Sequence, residues 1–199
     1  GVKGRAGGLV ETIHPQPMSL GALTRLFHAL LDDGISIAHP LPILSALSQA
    51  LQQTNDHDRL IDLLRADLGP MIVGRICGPN DRLPVVTLEA GLEQMIVSGM
   101  HDPATGQPVI EPDLARGIGE RVTDLIAERG PGAPPVALIV QPRARRPLAA
   151  LLRLRAPNCL VLSISELPPS QPIEVISVIG GEAPQPTRPE LPVPEGIAA

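Results

Sequence analysis

The spacing of apolar residues changes at about residue 81, and no other feature of the sequence constrains the fold as strongly. Before that point leucines recur every three or four residues, which is typical of helices packed on one face. After it, continuous apolar runs such as 136–140 have the length of buried strands and alternate with helical segments. The sequence therefore predicts a mixed α and β protein, with a small helical subdomain over residues 1–80 and an α/β subdomain with a mixed sheet over 81–180.

Residues typical of helix starts and ends predict three helices in the first part of the chain. Ser19 is a good N-cap for the first helix, and Gly34 suits the left-handed position that ends it. Pro40 fits the first turn of the second helix, and Asp56 precedes the third. Because Pro70 lacks the N–H that a helix interior needs, the third helix should break or kink there.

The second part alternates strand and helix patterns. A strand is predicted at 85–88, and the clearest helix begins at Pro112 and ends at the Gly-Pro-Gly sequence of 130–132. The remaining elements are a helix over 89–97, a loop over 98–108, strands over 136–140, 159–162 and 173–179, and a helix over 147–154. The order of the strands in the sheet cannot be deduced from this pattern.

Composition changes again at the C-terminal end. Residues 181–199 contain five of the 24 prolines of the chain and three glutamates against one arginine. Such a segment cannot bury enough apolar surface to fold, so we predict a disordered, extended tail. At the other end the chain begins with Gly1 and a polar, glycine-rich stretch, and we expect it to be part of a longer protein.

Missing residue types exclude several functions. The chain has no Trp and no Tyr, and Phe27 is its one aromatic residue, so it cannot form an aromatic stacking platform for single-stranded nucleic acid. Lys3 is its one lysine, which excludes a phosphate-binding Gly-Lys-Ser loop. No run of 18 apolar residues indicates a membrane span.

The candidate catalytic and metal-binding residues lack the spacing or the sequence context that such sites require. Four aspartates occupy calcium-loop positions, but Ile61 stands where the loop needs glycine, so they are predicted on a helix: Asp56, Asp58, Asp62 and Asp67. The five histidines are isolated, and no Gly-x-Ser-x-Gly elbow is present. Cys77 and Cys159 lie 82 positions apart and are interpreted as small, buried hydrophobic residues, with their redox state left open. We therefore predict no catalytic, cofactor or metal site, and a protein that is not an enzyme.

An arginine-rich stretch is the strongest candidate for a binding surface. No acidic residue occurs between Glu128 and Glu166, although the chain as a whole has a net charge of −5. The stretch could be a solvated helix face, or it could attract an acidic protein surface, a phosphate or a nucleic acid. We predict a partner-protein surface formed by Arg143, Arg145, Arg146, Arg153 and Arg155.

Five sequence blocks, taken in order, resemble the export-gate family of type III secretion, the FHIPEP family. The most distinctive block is similar to the family's Val-Leu-Ser-x-x-Glu-Ile strand and its return strand, and comprises VLSISELP at 161–168 and PIEV at 172–175. The other blocks are MSLGAL at 18–23, LLDDGISI at 30–37, PVVTL at 84–88 with the helix start at 111–114, and LIV at 138–140 with ARRPL at 144–148. The Arg-Pro-Leu sequence at 146–148 favours the flagellar branch. The sequence departs from the family where Ala38-His39 replaces Arg-Asp and Ile164 replaces an aromatic residue.

The resemblance implies a docking and ring-assembly module in the cytoplasmic part of a protein export gate, for flagellar or secreted proteins. It implies the last two of four cytoplasmic subdomains of a nine-membered ring at the cytoplasmic face of the bacterial inner membrane. The helical subdomain would make ring contacts, and the partners would be export substrates, their chaperones and the export ATPase complex. This part would itself be soluble and would reach the membrane only through an N-terminal part. Two alternatives stay open: a small enzyme with an unrecognised site, and an accessory nucleic-acid-binding domain.

Overall fold

The computed structural model describes residues 18–181, and the predicted C-terminal tail falls outside them. Seven helices and four strands follow one another in this part of the chain. They are α1 (Leu20–Asp32), α2 (Pro40–Ala50), α3 (His57–Asp67), α4 (Gly69–Val73), β1 (Leu83–Leu88), α5 (Ala90–Ser98), α6 (Pro112–Glu128), β2 (Val136–Val140), α7 (Pro142–Arg155), β3 (Cys159–Ser163) and β4 (Ile173–Ile179). A 3-10 turn (Ile164–Glu166) follows β3.

The helix ends predicted at Ser19, Gly34 and Asp56 are confirmed, whereas the helix predicted over 147–154 begins earlier, at Pro142, with Pro147 in its interior. The Ser19 side chain accepts a hydrogen bond from the backbone N–H of Ala22, and Gly34 adopts a φ of 75° directly after α1. The Asp56 carboxylate caps α3, as its place before the leucine stripe indicates. The break at Pro70 is also present, because α3 ends at Asp67 and α4 begins at Gly69.

The four strands form one parallel sheet in the order β3-β2-β1-β4. The expected class, a mixed α and β protein with a helical part and an α/β part, is confirmed, whereas the expectation of a mixed sheet is corrected. A short link suggests that β3 and β4 are antiparallel neighbours, yet β4 lies at the far edge beside β1. The crossing covers three strand spacings and one strand length, about 22 Å. Residues 164–172 can span about 30 Å when extended, so the link is long enough for a parallel return.

Each face of the sheet packs against a different set of helices. One face contributes Val85, Ile139 and Leu162 to a core shared with apolar side chains of α1 to α4. The other contributes Val86 and Leu138 to a core shared with α5, α6 and α7. The helical part therefore covers one face of the sheet, and the first core crosses the predicted boundary at residue 80. The division into 1–80, 81–180 and 181–199 stays a prediction.

Within residues 18–181, none of the helices combines the length and the apolar character that crossing a membrane requires.

Candidate functional site: the arginine cluster between helices and sheet

Arg65 joins three elements through buried hydrogen bonds. It lies near the end of α3, and its side chain is 2% exposed. Its Nε and Nη2 donate to the two carboxylate oxygens of Glu166, at 2.8 and 2.7 Å, and its Nη1 donates to Asp33 Oδ2 at 3.0 Å. Glu166 belongs to the turn after β3 and Asp33 to the end of α1. The bidentate geometry therefore fixes the helical part against the sheet.

Arg145 enters the same cluster from α7. Its side chain is also 2% exposed, and its Nη1 donates to Asp33 Oδ2 at 3.0 Å, while its Nε lies 3.5 Å from Glu166 Oε1. The Arg145 Nη2 atom is buried without a hydrogen-bond partner among the described residues, and Asp62 Oδ1 lies 3.7 Å from it. Asp33 and Glu166 together balance the charges of Arg65 and Arg145.

Burial affects the two arginines differently. Burial acts to lower the pKa of Arg65, but the hydrogen bonds and charge of Glu166, with the charge of Asp33, outweigh it and raise that pKa above its usual value. Burial and the nearby charge of Arg65 lower the pKa of Arg145, because its carboxylate contacts are longer and one nitrogen lacks an acceptor. Arg145 is therefore the less well compensated member of the cluster.

The structure corrects the predicted arginine surface at one position. Arg145 is 2% exposed and lies in the buried ion-pair cluster, so it is not part of an open, solvated surface. Arg146 is partly buried, and its guanidinium pairs with Asp58 and Asp62 on α3. These aspartates lie on a helix, as their sequence context predicted.

The other three arginines lie apart along α7. Arg153 is half-exposed and lies 3.7 Å from Asp33 Oδ1, whereas Arg143 lies 3.3 Å from Nε2 of His101. The Arg155 side chain packs against Gly119 of α6, and a Cβ added at Gly119 would lie 3.0 Å from Arg155 Cδ. For Arg143, Arg146, Arg153 and Arg155 the partner surface stays a prediction.

A cleft of about 350 Å³ opens beside the arginine cluster, between the helical part and the sheet. Arg75 and Arg153 line it together with Asp32, and Ile72, Ile76 and Leu160 give it an apolar lining. Arg65 and Arg145 also line it, so the buried cluster borders an accessible space. The cleft can accept an anionic group beside an apolar one.

The two cysteines are free thiols and are partly buried. Burial raises the pKa of the Cys159 thiol to about 12, so at neutral pH it is protonated and a poor nucleophile. Burial and the charge of Asp81 also raise the pKa of Cys77. Residues 18–181 contain no group of three or more His, Cys, Asp or Glu residues arranged to hold a metal ion.

Sequence reasoning did not find Arg65, Asp33 or the role of Glu166. One signal was available, because Arg65 directly follows Leu64 within the apolar stripe of α3, where a charged residue needs a buried partner. The identity of that partner could not be inferred, since Glu166 lies 101 positions away.

The FHIPEP family model matches residues 1–172. The flagellar biosynthesis protein FlhA of Bacillus subtilis (strain 168) is 27% identical over 172 residues, which are 86% of this chain and 25% of that protein. This chain spans about a quarter of the length of the curated relatives that it matches.

Solved structures share the fold. CdsV in the Chlamydia pneumoniae CdsV and CdsO complex aligns with a TM-score of 0.76 at 22% identity, over 89% of this chain and 52% of that one. The nonameric EPEC SctV-C aligns with a TM-score of 0.74 at 17% identity, over 89% of this chain and 53% of that one. At such identities the likeness concerns the architecture alone.

Proposed function

Because the chain belongs to the FHIPEP family, we propose that it acts in the cytoplasmic part of a bacterial type III protein export gate, as a docking and ring-assembly module. The observation that carries the proposal is the family match over residues 1–172, which includes the arginine cluster and all but the last strand of the sheet. The resemblance inferred from the sequence blocks is thereby confirmed. The matched relatives are flagellar FlhA proteins, which favours a role in flagellum biogenesis.

Ring assembly is the first part of the proposed role. A nonameric ring is known for SctV-C, which shares this fold. In this chain large apolar side chains of α1 and α2 are exposed, with Leu20 at 63%, Leu31 at 47% and Leu41 at 42%. Exposed leucines on these two successive helices are suited to contact with another subunit or with preceding subdomains. We assign the ring contact to the helical part.

Partner docking is the second part. The proposed partners are other export-apparatus proteins, export chaperones and their substrates, and the ATPase complex, and the proposed place is the cytoplasmic face of the inner membrane. CdsV was solved in complex with CdsO, which supports a partner-binding role for this fold. The action proposed for this part is positioning of proteins for transport, with no bond made or broken and therefore no enzymatic step.

The proposal is tested by deleting the coding region of residues 18–181, in frame, in the source bacterium. The expected result is loss of secreted flagellar or type III substrates from the medium, with restoration by an intact copy of the gene. Immunoblots of whole cells serve as the control, because the substrates should still be made inside the cell. Secretion at the wild-type level after the deletion would contradict the proposal.

A further inference from the structure

Three adjacent clefts lie along the amino ends of β1, β2 and β3. The cleft of about 350 Å³ shares Arg75 and Ile76 with a neighbouring cleft of about 400 Å³. It shares Pro135 and Asn158 with a third cleft, of about 310 Å³, on its other side. We refer to these three adjacent clefts together as the seam groove. Because the clefts follow the ends of three strands, they suit an extended segment better than a compact small molecule.

The seam groove is positively charged in a chain of net charge −5. Six arginines and three aspartates line it. Asp33 and Glu166 balance the two buried arginines, Arg65 and Arg145. The remaining lining charges are Arg75, Arg82, Arg129 and Arg153 against Asp32 and Asp81, which leaves a positive excess. A local excess of guanidinium groups attracts carboxylates and binds them with directed hydrogen bonds.

Two buried nitrogen atoms of the groove lack hydrogen-bond acceptors. Among the side chains of residues 18–181 that are not exposed, the buried polar atoms without a partner are Arg129 Nε and Arg145 Nη2. Both arginines line the seam groove, and the Arg145 side chain is 98% buried. Unpaired buried donors are costly, and both belong to side chains that line the seam groove, which adds to its preference for anionic groups.

The lining of the groove also has an apolar component. Ile72, Ile76 and Leu160 lie in the central cleft, and proline rings continue the apolar surface: Pro84, Pro131, Pro134, Pro135 and Pro157. A nucleic-acid backbone would make little use of this lining, and the chain has no aromatic platform for bases. Arginines beside an apolar floor instead fit a peptide in which acidic and apolar side chains alternate.

We propose that the seam groove binds an extended, acidic segment of a partner protein, with its carboxylates at Arg75 and Arg153 and its apolar side chains over Ile72 and Ile76. This goes beyond the proposed function by assigning a site and a peptide chemistry. It rests on the proposed function in one respect only, namely that the peptide belongs to an export partner. The binding assay below does not depend on export, so failure of either proposal can be recognised separately.

Fluorescence anisotropy with a labelled synthetic peptide, ELPELPE, tests the proposal on the full chain. The matched probe QLPQLPQ has the same length and apolar residues but no carboxylates. We expect ELPELPE to bind at least about tenfold more tightly, because several charge-assisted bonds form in a half-buried site. Binding should weaken between about 0.1 M and about 1 M salt, as the Debye length falls from about 10 Å to about 3 Å. Equal binding of the two peptides would overturn the proposal.

Charge reversal locates the site. The double variant Arg75→Glu with Arg153→Glu changes two rim residues and should lose at least about tenfold in affinity for ELPELPE. Arg25→Glu, on the exposed side of α1, is the matched control and should bind as the wild type does. Circular dichroism at 222 nm checks that each variant is folded. Unchanged affinity in a folded double variant would refute the assignment.

Two further measurements decide between occupants. A chain ending at Gly181 should bind ELPELPE as the full chain does. A gain of tenfold or more on truncation would show that the chain's own residues 182–199 occupy the groove, which would overturn the assignment to a partner. A single-stranded oligonucleotide of the same charge should compete poorly, and tighter binding by it would also contradict the proposal.

Discussion

Glu166→Gln tests the idea that the buried arginine cluster holds the helical part against the sheet. The change keeps the shape of the side chain but removes one of the two carboxylates that neutralise Arg65 and Arg145. Because all three side chains are 2% exposed, water cannot replace the lost charge. Removing one partner of a buried ion pair costs about 3–5 kcal/mol. That is a large part of the about 5–15 kcal/mol by which domains of this kind are stable.

Urea unfolding followed by circular dichroism at 222 nm measures this cost, since the chain lacks the Trp and Tyr needed for a fluorescence signal. With a slope of about 2 kcal/mol per molar urea, the midpoint should fall by about 1.5–2.5 M. Arg116→Gln is the control, because the Arg116–Asp113 pair is exposed and worth little. A loss below about 1 kcal/mol in Glu166→Gln would refute the reasoning.

A double-mutant cycle separates the ion pair from packing. Arg65→Met and Glu166→Leu should each destabilise the chain strongly, whereas the combined variant should be less destabilised than the sum of the two. The reason is that the double change leaves neither charge unpaired, and an apolar replacement of a buried pair can be neutral. Additive losses would show that the two side chains act independently.

Three further predictions concern a close approach, a thiol and a helix cap. Gly69→Ala should destabilise the chain severely, because the new Cβ would lie 2.1 Å from the backbone oxygen of Glu166. Gly117→Ala is the control: it lies inside α6, and its new Cβ would have no atom within 4 Å. In urea unfolding it should stabilise the chain by about 0.5–1 kcal/mol. Cys159 should resist iodoacetamide at pH 8 in the native chain and react on unfolding, because its thiol has a pKa of about 12; rapid native alkylation at that position, read by mass spectrometry, would contradict this. Backbone N–H groups at the start of α5 lower the pKa of Glu89, so its capping contribution should be complete above the ordinary value of 4.5 and should be lost as pH falls through the lowered pKa. The protection factors of α5 amides, which correct exchange for its intrinsic pH dependence, should fall on that acid side, and a fall only at alkaline pH would be the wrong sign.

Features set by neighbouring residues could be predicted from the sequence. Ser19, Gly34 and Asp56 act within three or four positions of their own place in the chain, and the helix ends predicted from these three residues agree with the structure. The break at Pro70 follows from the chemistry of one ring. Strand direction could not be predicted in this way, because it depends on the edge of the sheet to which β4 adds.

The burial of Arg145 could not be predicted either, because it also depends on residues that are distant in the sequence. The stretch from 129 to 165 has no acid of its own, which suggested an uncompensated, exposed surface. The compensating carboxylates come from the helical part instead, with Asp33 lying 112 positions from Arg145 and Asp58 lying 88 positions from Arg146. Charge patterning along the chain therefore misjudged which arginines face solvent. Of the five predicted arginines, Arg145 and Arg153 line the cleft between the helices and the sheet, and the partner surface stays a prediction.

Counting the copies in the assembled ring tests the central claim most directly. The native protein, extracted from the membranes of the source bacterium and lightly cross-linked, should give a ladder of bands that ends at nine copies. Replacing the exposed Leu20 and Leu41 with glutamate should shorten the ladder and abolish secretion without lowering the amount of protein. A single-copy band in membranes that secrete at the normal rate would contradict the account.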